Sequence, residues 1–198
     1  MKPENIISLN PEKSIRADAV RNRCLLMDTA HKLFEEHGVD SVTMSAIAKE
    51  ARVGKGTLYR HFADKATLCH ALLDENMRDF QQATLRHLQV TPDVFQALQW
   101  FLQQAVAYVD KHNELLREVA NQGGIDMLRH PAHYWWRQTI YGLLARLQRQ
   151  GDVDYMADCL YIMLDVSTIR FQRQSGHYDL ERIIAGLHML LDSLVANH

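Results

Sequence analysis

Three features of the 198-residue sequence predict an all-α fold. Apolar residues recur at spacings of three and four through most of the chain. Only four prolines and nine glycines interrupt it, and 47% of the residues are hydrophobic, enough to bury a substantial core. Two short apolar runs, around residues 44–51 and 58–62, are separated by a tight turn. The pattern predicts about nine helices in two domains, an amino-terminal three-helix unit over residues 17–80 and a second helical domain over 81–198.

Residues 1–16 contain Pro3, Pro11 and mixed charges without periodicity, and read as a flexible arm whose Lys13 and Arg16 could reach along a polyanion or simply be solvated. From Ala17 to His37, the positions Val20, Leu26, Ala30, Leu33, Phe34 and His37 lie near a 3.6-residue period, with Gly38 as the stop. Thr43 precedes Met44, Ile47, Ala48 and Ala51, so its hydroxyl is placed to cap the second helix. Val53 anchors the turn, and Leu58, Tyr59 and Phe62 carry the third helix. Residues 43–62 therefore form a helix-turn-helix.

The third helix carries Lys55, Gly56, Thr57, Tyr59, Arg60 and His61, types that donate hydrogen bonds or stack, on barely two turns. Such a helix fits the major groove of DNA, about 12 Å wide. Gly56 lets backbone approach a phosphate or base edge. From Thr43 to Lys65 there are five basic residues (Lys49, Arg52, Lys55, Arg60, Lys65) against two acids (Glu50, Asp64), whereas the whole chain has a net charge of −2. An acidic chain with one basic island does not suit a general nucleic-acid coat, but it suits a specific reader whose contacting face alone is basic.

Asp64 is placed to cap a fourth helix running to about Leu88, with Leu68, Leu72, Met77, Phe80, Thr84 and Leu88 along it. At 1.5 Å per residue it is about 35 Å long, enough to enter the second domain. Thr91-Pro92-Asp93 restarts the chain, with Thr91 as cap and Pro92 at the first helical position. A fifth helix (92–110) carries Phe95, Trp100, Phe101 and Tyr108, and a sixth covers 113–120. Gly123-Gly124 breaks the pattern, a short piece runs to Arg129, and after His130-Pro131 a seventh helix holds Trp135, Trp136, Ile140, Tyr141, Leu144 and Leu147. The aromatic residues of this region admit two readings. They are plain core, or Trp100, Gln104, Tyr108, Trp136 and Tyr141 line a pocket, which is typically apolar with a few orienting polar groups.

The last two helices cover 153–174 and 179–197, joined by Ser175-Gly176-His177. The final one shows Leu180, Ile183, Ile184, Leu187, Leu190, Leu191, Leu194 and Val195 at regular spacing, with Gly186 where close approach is possible. This stripe could be intrachain core. With the stripe Leu160, Met163, Ser167 and Ile169 it also suits a helix-pair interface, in which two copies form a four-helix bundle about a two-fold axis.

Other chemistries find little support. Cys24, Cys69 and Cys159 are widely spaced in apolar-periodic segments, which points to buried free thiols in a reducing compartment rather than a disulfide frame or zinc ribbon. Among eleven histidines, His130 and His133 stand three apart around Pro131, but no metal-binding spacing, phosphate loop or nucleophile-base pair appears. Glu35-Glu36 and Asp74-Glu75 point to different helix faces and read as solvated. No enzyme, cofactor or metal is expected. MKPENIISLN has no signal-like apolar run, and nowhere do 18 apolar residues follow one another, so a cytoplasmic protein is expected.

The joint pattern Leu33-Phe34, Gly38, Thr43, Ile47-Ala48, Val53, Gly56-Thr57-Leu58-Tyr59, His61-Phe62, Lys65 and Leu68 resembles the DNA-binding segment of the tetracycline-repressor (TetR) family of bacterial regulators over roughly residues 20–80. The resemblance implies a homodimeric one-component regulator, most simply a repressor of a palindromic operator, with an effector pocket in the middle region and dimerisation through the last two helices. Lys55 and Tyr59, and more weakly Ser45, are then assigned to base edges, and Thr43, Thr57, His61 and Lys65 to phosphates. Arg60 could serve either purpose. A small apolar or aromatic effector is the implied partner besides operator DNA. Two positions depart from the family. Arg52 replaces the usual Gly, so either the turn differs or a strained left-handed residue is tolerated because its guanidinium meets a phosphate. Gly54 replaces the usual Ser and lacks its hydroxyl.

Overall fold

The structure is a computed structural model that describes residues 11–123, 131–147 and 151–196. Among these are ten α-helices and no strand: α1 Pro11–His37, α2 Met44–Glu50, α3 Lys55–His61, α4 Lys65–Val90, α5 Val94–Lys111, α6 Asn113–Gly123, α7 Pro131–Arg146, α8 Val153–Ile162, α9 Val166–Gln174 and α10 Leu180–Ala196. The chain divides into two compact units, one ending at Leu68 and the other beginning at Cys69, so the division falls inside α4 rather than at residue 80. The first ten residues of the expected arm lie outside the described residues, as do Gly124, Arg129 and His130. α1 already begins at Pro11, within that arm.

The first unit is a small apolar wedge. Leu26, Ala30 and Phe34 of α1, Ile47 and Ala48 of α2, Leu58 of α3, Phe62 and Leu68 are all buried, with α1 packed on α2 and α2 on α3. α1 stops where predicted: Gly38, at φ +76°, donates its N–H to Phe34 O. Only the carboxyl-terminal half of α1 belongs to this core, because Val20, expected inside, is 64% exposed. Thr43 caps α2, its Oγ1 accepting from Ala46 N at 3.2 Å. Asp64 Oδ1 accepts from Thr67 N at 2.7 Å, as a cap of α4 should.

The second unit is organised around α5, whose Ala97, Leu98, Phe101, Leu102, Ala105 and Val106 are all buried. Four expectations need correcting. The α5 cap is Asp93, not Thr91: its Oδ1 accepts from Phe95 N (2.9 Å) and Gln96 N (3.1 Å). The predicted helix 153–174 is two helices, because Asp165 leaves the helical path and caps α9 through Ser167 N (2.8 Å) and Thr168 N (3.3 Å). The α10 stripe is mostly core: Ile183, Leu187 and Leu191 are buried within the chain, as are Leu160 and Ile169 of the partner stripe. Cys24 is exposed, and only Cys69 of the three free thiols is fully buried.

Candidate nucleic-acid interface

The packing of α2 on α3 decides which residues face outwards. Leu58 and Phe62 bury one side of α3, which leaves Lys55, Gly56, Tyr59 and Arg60 exposed on the other. Tyr59 is 50% exposed, so its ring is accessible from solvent. A Cβ on Gly56 would meet nothing within 4 Å, so the first turn of α3 is open to whatever approaches it. Ser45 and Thr43 are exposed at the start of α2, while Thr57 and His61 are half-buried. Arg60 folds back along its own helix, with Nε donating to Gly56 O (3.2 Å) and Nη2 to Thr57 Oγ1 (3.3 Å).

Lys65 departs from its expected phosphate role. Its ammonium turns inwards, donating to Val39 O at 2.8 Å and Val42 O at 3.4 Å. It ties the loop between α1 and α2 to the start of α4 and so fixes the wedge. Arg23 of α1 likewise braces the unit, lying 4.7 Å above the Phe62 ring.

Arg52 adopts φ +55°, the left-handed conformation. Around it Val53 N donates to Ala48 O (2.9 Å) and Arg52 N to Lys49 O (3.1 Å), the paired bonds of a Schellman ending. The turn is therefore the usual one, held at a cost of roughly 1–2 kcal/mol for a side-chain-bearing residue. Lys49, Arg52 and Lys55 are all exposed and make no ion pair or side-chain hydrogen bond among the described residues. Lys49, part of the basic island, is assigned no role by the sequence pattern but is exposed as well.

The residues expected to form a pocket are only partly brought together. Tyr108 and Trp136 lie 5.6 Å apart in a cluster with Phe80, Phe101 and Trp135, with edge and stacked ring contacts throughout. Their polar ends are used inside the protein: Tyr108 OH donates to Leu73 O (3.2 Å) and Trp136 Nε1 approaches Met77 Sδ (3.1 Å). Burial and the Asp74 carboxylate push the Tyr108 hydroxyl well above its ordinary pKa. Trp100 stands apart, stacked on His87 at 3.8 Å, while Gln104 and Tyr141 are half-buried. A separate cleft of about 610 Å³ lies beside α9, lined by Asp110, Asn113, Arg170, Arg173, His177 and Tyr178 among others. Arg173 is held there by Asp110 (3.1 Å) and Tyr178 O (3.2 Å). Only the break at Ser175-Gly176-His177 hinted at this cleft in the sequence. Among the described residues, no three His, Cys, Asp or Glu side chains gather as metal ligands.

Residues 26–72, which contain the whole α2–α3 unit, match the family described as bacterial regulatory proteins of the tetR family. A helix-turn-helix-type transcriptional regulator of Staphylococcus aureus is 29% identical over 173 residues, 84% of this chain and 90% of that one. The amino-terminal unit is therefore similar to the DNA-binding segment of the TetR family. The fold agrees with that of solved regulators of this type. A TetR-family regulator from Pectobacterium atrosepticum superposes with a TM-score of 0.72 at 22% identity, covering 90% of this chain and 96% of that one. The fatty acid degradation regulator FadR of Bacillus subtilis, solved in complex with stearoyl-CoA, gives 0.64 at 19% identity, covering 85% and 96%. No helix among the described residues is long and apolar enough to cross a membrane.

Proposed function

We propose that this chain is a cytoplasmic, homodimeric repressor of the TetR type that reads a palindromic operator through α2 and α3 and is released by a small apolar or aromatic effector bound in residues 81–198. The observation that carries the DNA reading is the outward face of α3: Lys55 and Tyr59 stand free over a buried Leu58 and Phe62. In this reading Lys55, Tyr59 and Ser45 meet base edges, Thr43, Thr57 and His61 hold phosphates, and Arg60 exchanges its bonds within α3 for either. Lys65 is left to its place inside the unit. Residues 17–80 form the DNA-binding domain in function, although the compact unit ends earlier.

Dimerisation through α8 to α10 is supported by apolar side chains that the chain leaves uncovered there: Ile162, Phe171, Met189 and Leu190. Of these only Leu190 belongs to the stripe that periodicity selects, so the interface uses its exposed edge and the faces beside it. Phe171→Glu with Met189→Glu should convert a dimer to a monomer in sedimentation, while Leu187→Ala should act on folding.

α4 is continuous from Lys65 to Val90. An effector that binds one conformation of the second unit better than another gains leverage on the α3 helices of the dimer, whose separation must match about 34–36 Å, one DNA turn. The stearoyl-CoA complex of B. subtilis FadR supports an apolar guest. The mutual packing of Phe80, Phe101, Tyr108 and Trp136 favours a second reading, in which the middle region is closed core and the dimer only sets half-site spacing.

Selection of bound sequences from random duplex DNA by the purified full chain, followed by affinity at two salt concentrations, tests the proposal. A palindromic consensus with steep salt dependence is expected, and no enrichment overturns DNA reading by the chain alone. Unchanged operator affinity in the presence of saturating acyl-CoA and aromatic ligands favours the ligand-independent reading.

A further inference from the structure

We infer that Arg52 is a DNA-backbone contact, its guanidinium bonding a phosphate that flanks the base pairs read by α3. The inference rests on the DNA-reading proposal and deepens it. The residue has nothing to gain inside the protein. Its backbone is held at φ +55° by the two turn bonds to Ala48 O and Lys49 O, a conformation glycine would adopt without strain. Its side chain is exposed and makes no hydrogen bond or ion pair among the described residues. In sequence it stands between Lys49 and Lys55, two further exposed cations for which no ion pair is found among the described residues.

Several other cations of the unit are engaged. Lys65 bonds Val39 O and Val42 O, Arg60 bonds Gly56 O and Thr57 Oγ1, Arg23 covers Phe62, and Lys32 pairs with Glu36. A strained, unpartnered guanidinium becomes favourable when a polyanion is bound. Its planar fork gives phosphate two parallel donors, which a lysine cannot reproduce.

The test uses the full chain and three variants, Arg52→Gly, Arg52→Ala and Arg52→Lys. Each is titrated against the duplex selected by the parent protein and against a mixed-sequence duplex, over a range of salt, with thermal unfolding in parallel. Arg52→Gly and Arg52→Ala should each weaken binding to both duplexes roughly fivefold near physiological salt, and lower the slope of log K against log salt by about 0.9, one phosphate contact. Arg52→Gly should unfold at the parent temperature or above it, so weakened binding is not a folding defect. Arg52→Lys should keep the parent slope while binding somewhat less tightly. Parent affinity and slope in both Arg52→Gly and Arg52→Ala overturn the inference, as does a loss confined to Arg52→Gly, which would report a loosened turn. If the parent binds neither duplex, the DNA-reading proposal itself fails, a result separate from any variant effect.

Discussion

The two units spend their polar groups in opposite directions. In the first, a wedge of aliphatic residues and two phenylalanines is covered by short helices, and Lys49, Arg52, Lys55 and Tyr59 stand outside it without internal partners. In the second, an aromatic cluster is part of the core, and the hydroxyl of Tyr108 and the indole N–H of Trp136 bond within it. A polar group left free at the surface of a rigid unit is a statement about an absent partner. A polar group satisfied inside is a statement about folding. The first unit can therefore be read for function residue by residue, and the second cannot.

The comparison breaks most completely if the wedge is emptied. Phe62 is fully buried, ends α3 and carries Arg23 on its ring. Phe62→Ala should cost about 3–5 kcal/mol, measured by denaturant unfolding, and abolish DNA binding with it because α3 loses its platform. If the variant bound DNA normally, presentation by a packed wedge would be wrong. Tyr59→Ala separates the two properties. With half of its surface exposed the ring contributes little to folding, so the unfolding midpoint should hold while operator affinity falls by about 1–3 kcal/mol. Equal losses in both would make Tyr59 a structural residue.

A smaller effect sharpens the second unit. Asp165→Ala removes the acceptor for Ser167 N and Thr168 N, and should cost about 1 kcal/mol in thermal unfolding. Asp165→Asn should restore most of it. If alanine were neutral, the break between α8 and α9 would be set by packing of Leu164 instead of by the cap.

Asp165 also marks where sequence reading ends. Thr43, Asp64 and Gly38 were legible because each stands at the edge of an apolar period, where a cap or stop has no competitor. Asp165 stands inside a run whose apolar spacing carries on past it, and periodicity counts spacing without registering a bend. The same limit explains Val20, which keeps the period of α1 but is 64% exposed, and the α10 stripe, whose spacing is the same for an internal or an external partner. Lys65 was read as a phosphate ligand because its charge is visible in sequence and the Val39 and Val42 carbonyls that claim it are not. For the aromatic cluster, composition revealed an apolar middle region but carried no information on whether the rings enclose a space or fill it.

The smallest effect bears on that last question. Tyr108→Phe removes one bond to Leu73 O, a helical carbonyl whose place in α4 does not depend on it, so the stability loss should be only about 0.5–1 kcal/mol. Its ionisation is more telling. Burial raises the hydroxyls of both Tyr108 and Tyr161 above their ordinary range, with Asp74 and Asp165 adding to it. A raised folded-state pKa means that the folded protein holds its proton after the unfolded chain has released one. The stability from this source is complete below about pH 10 and is lost as pH climbs beyond it. Ultraviolet titration should therefore show two of the seven tyrosines ionising only as the fold gives way, and one fewer in Tyr108→Phe. If Tyr108 instead titrated with the exposed tyrosines, solvent would be reaching the aromatic cluster in the free protein. The core would then contain room for a guest, and the contrast between the two units would be one of degree.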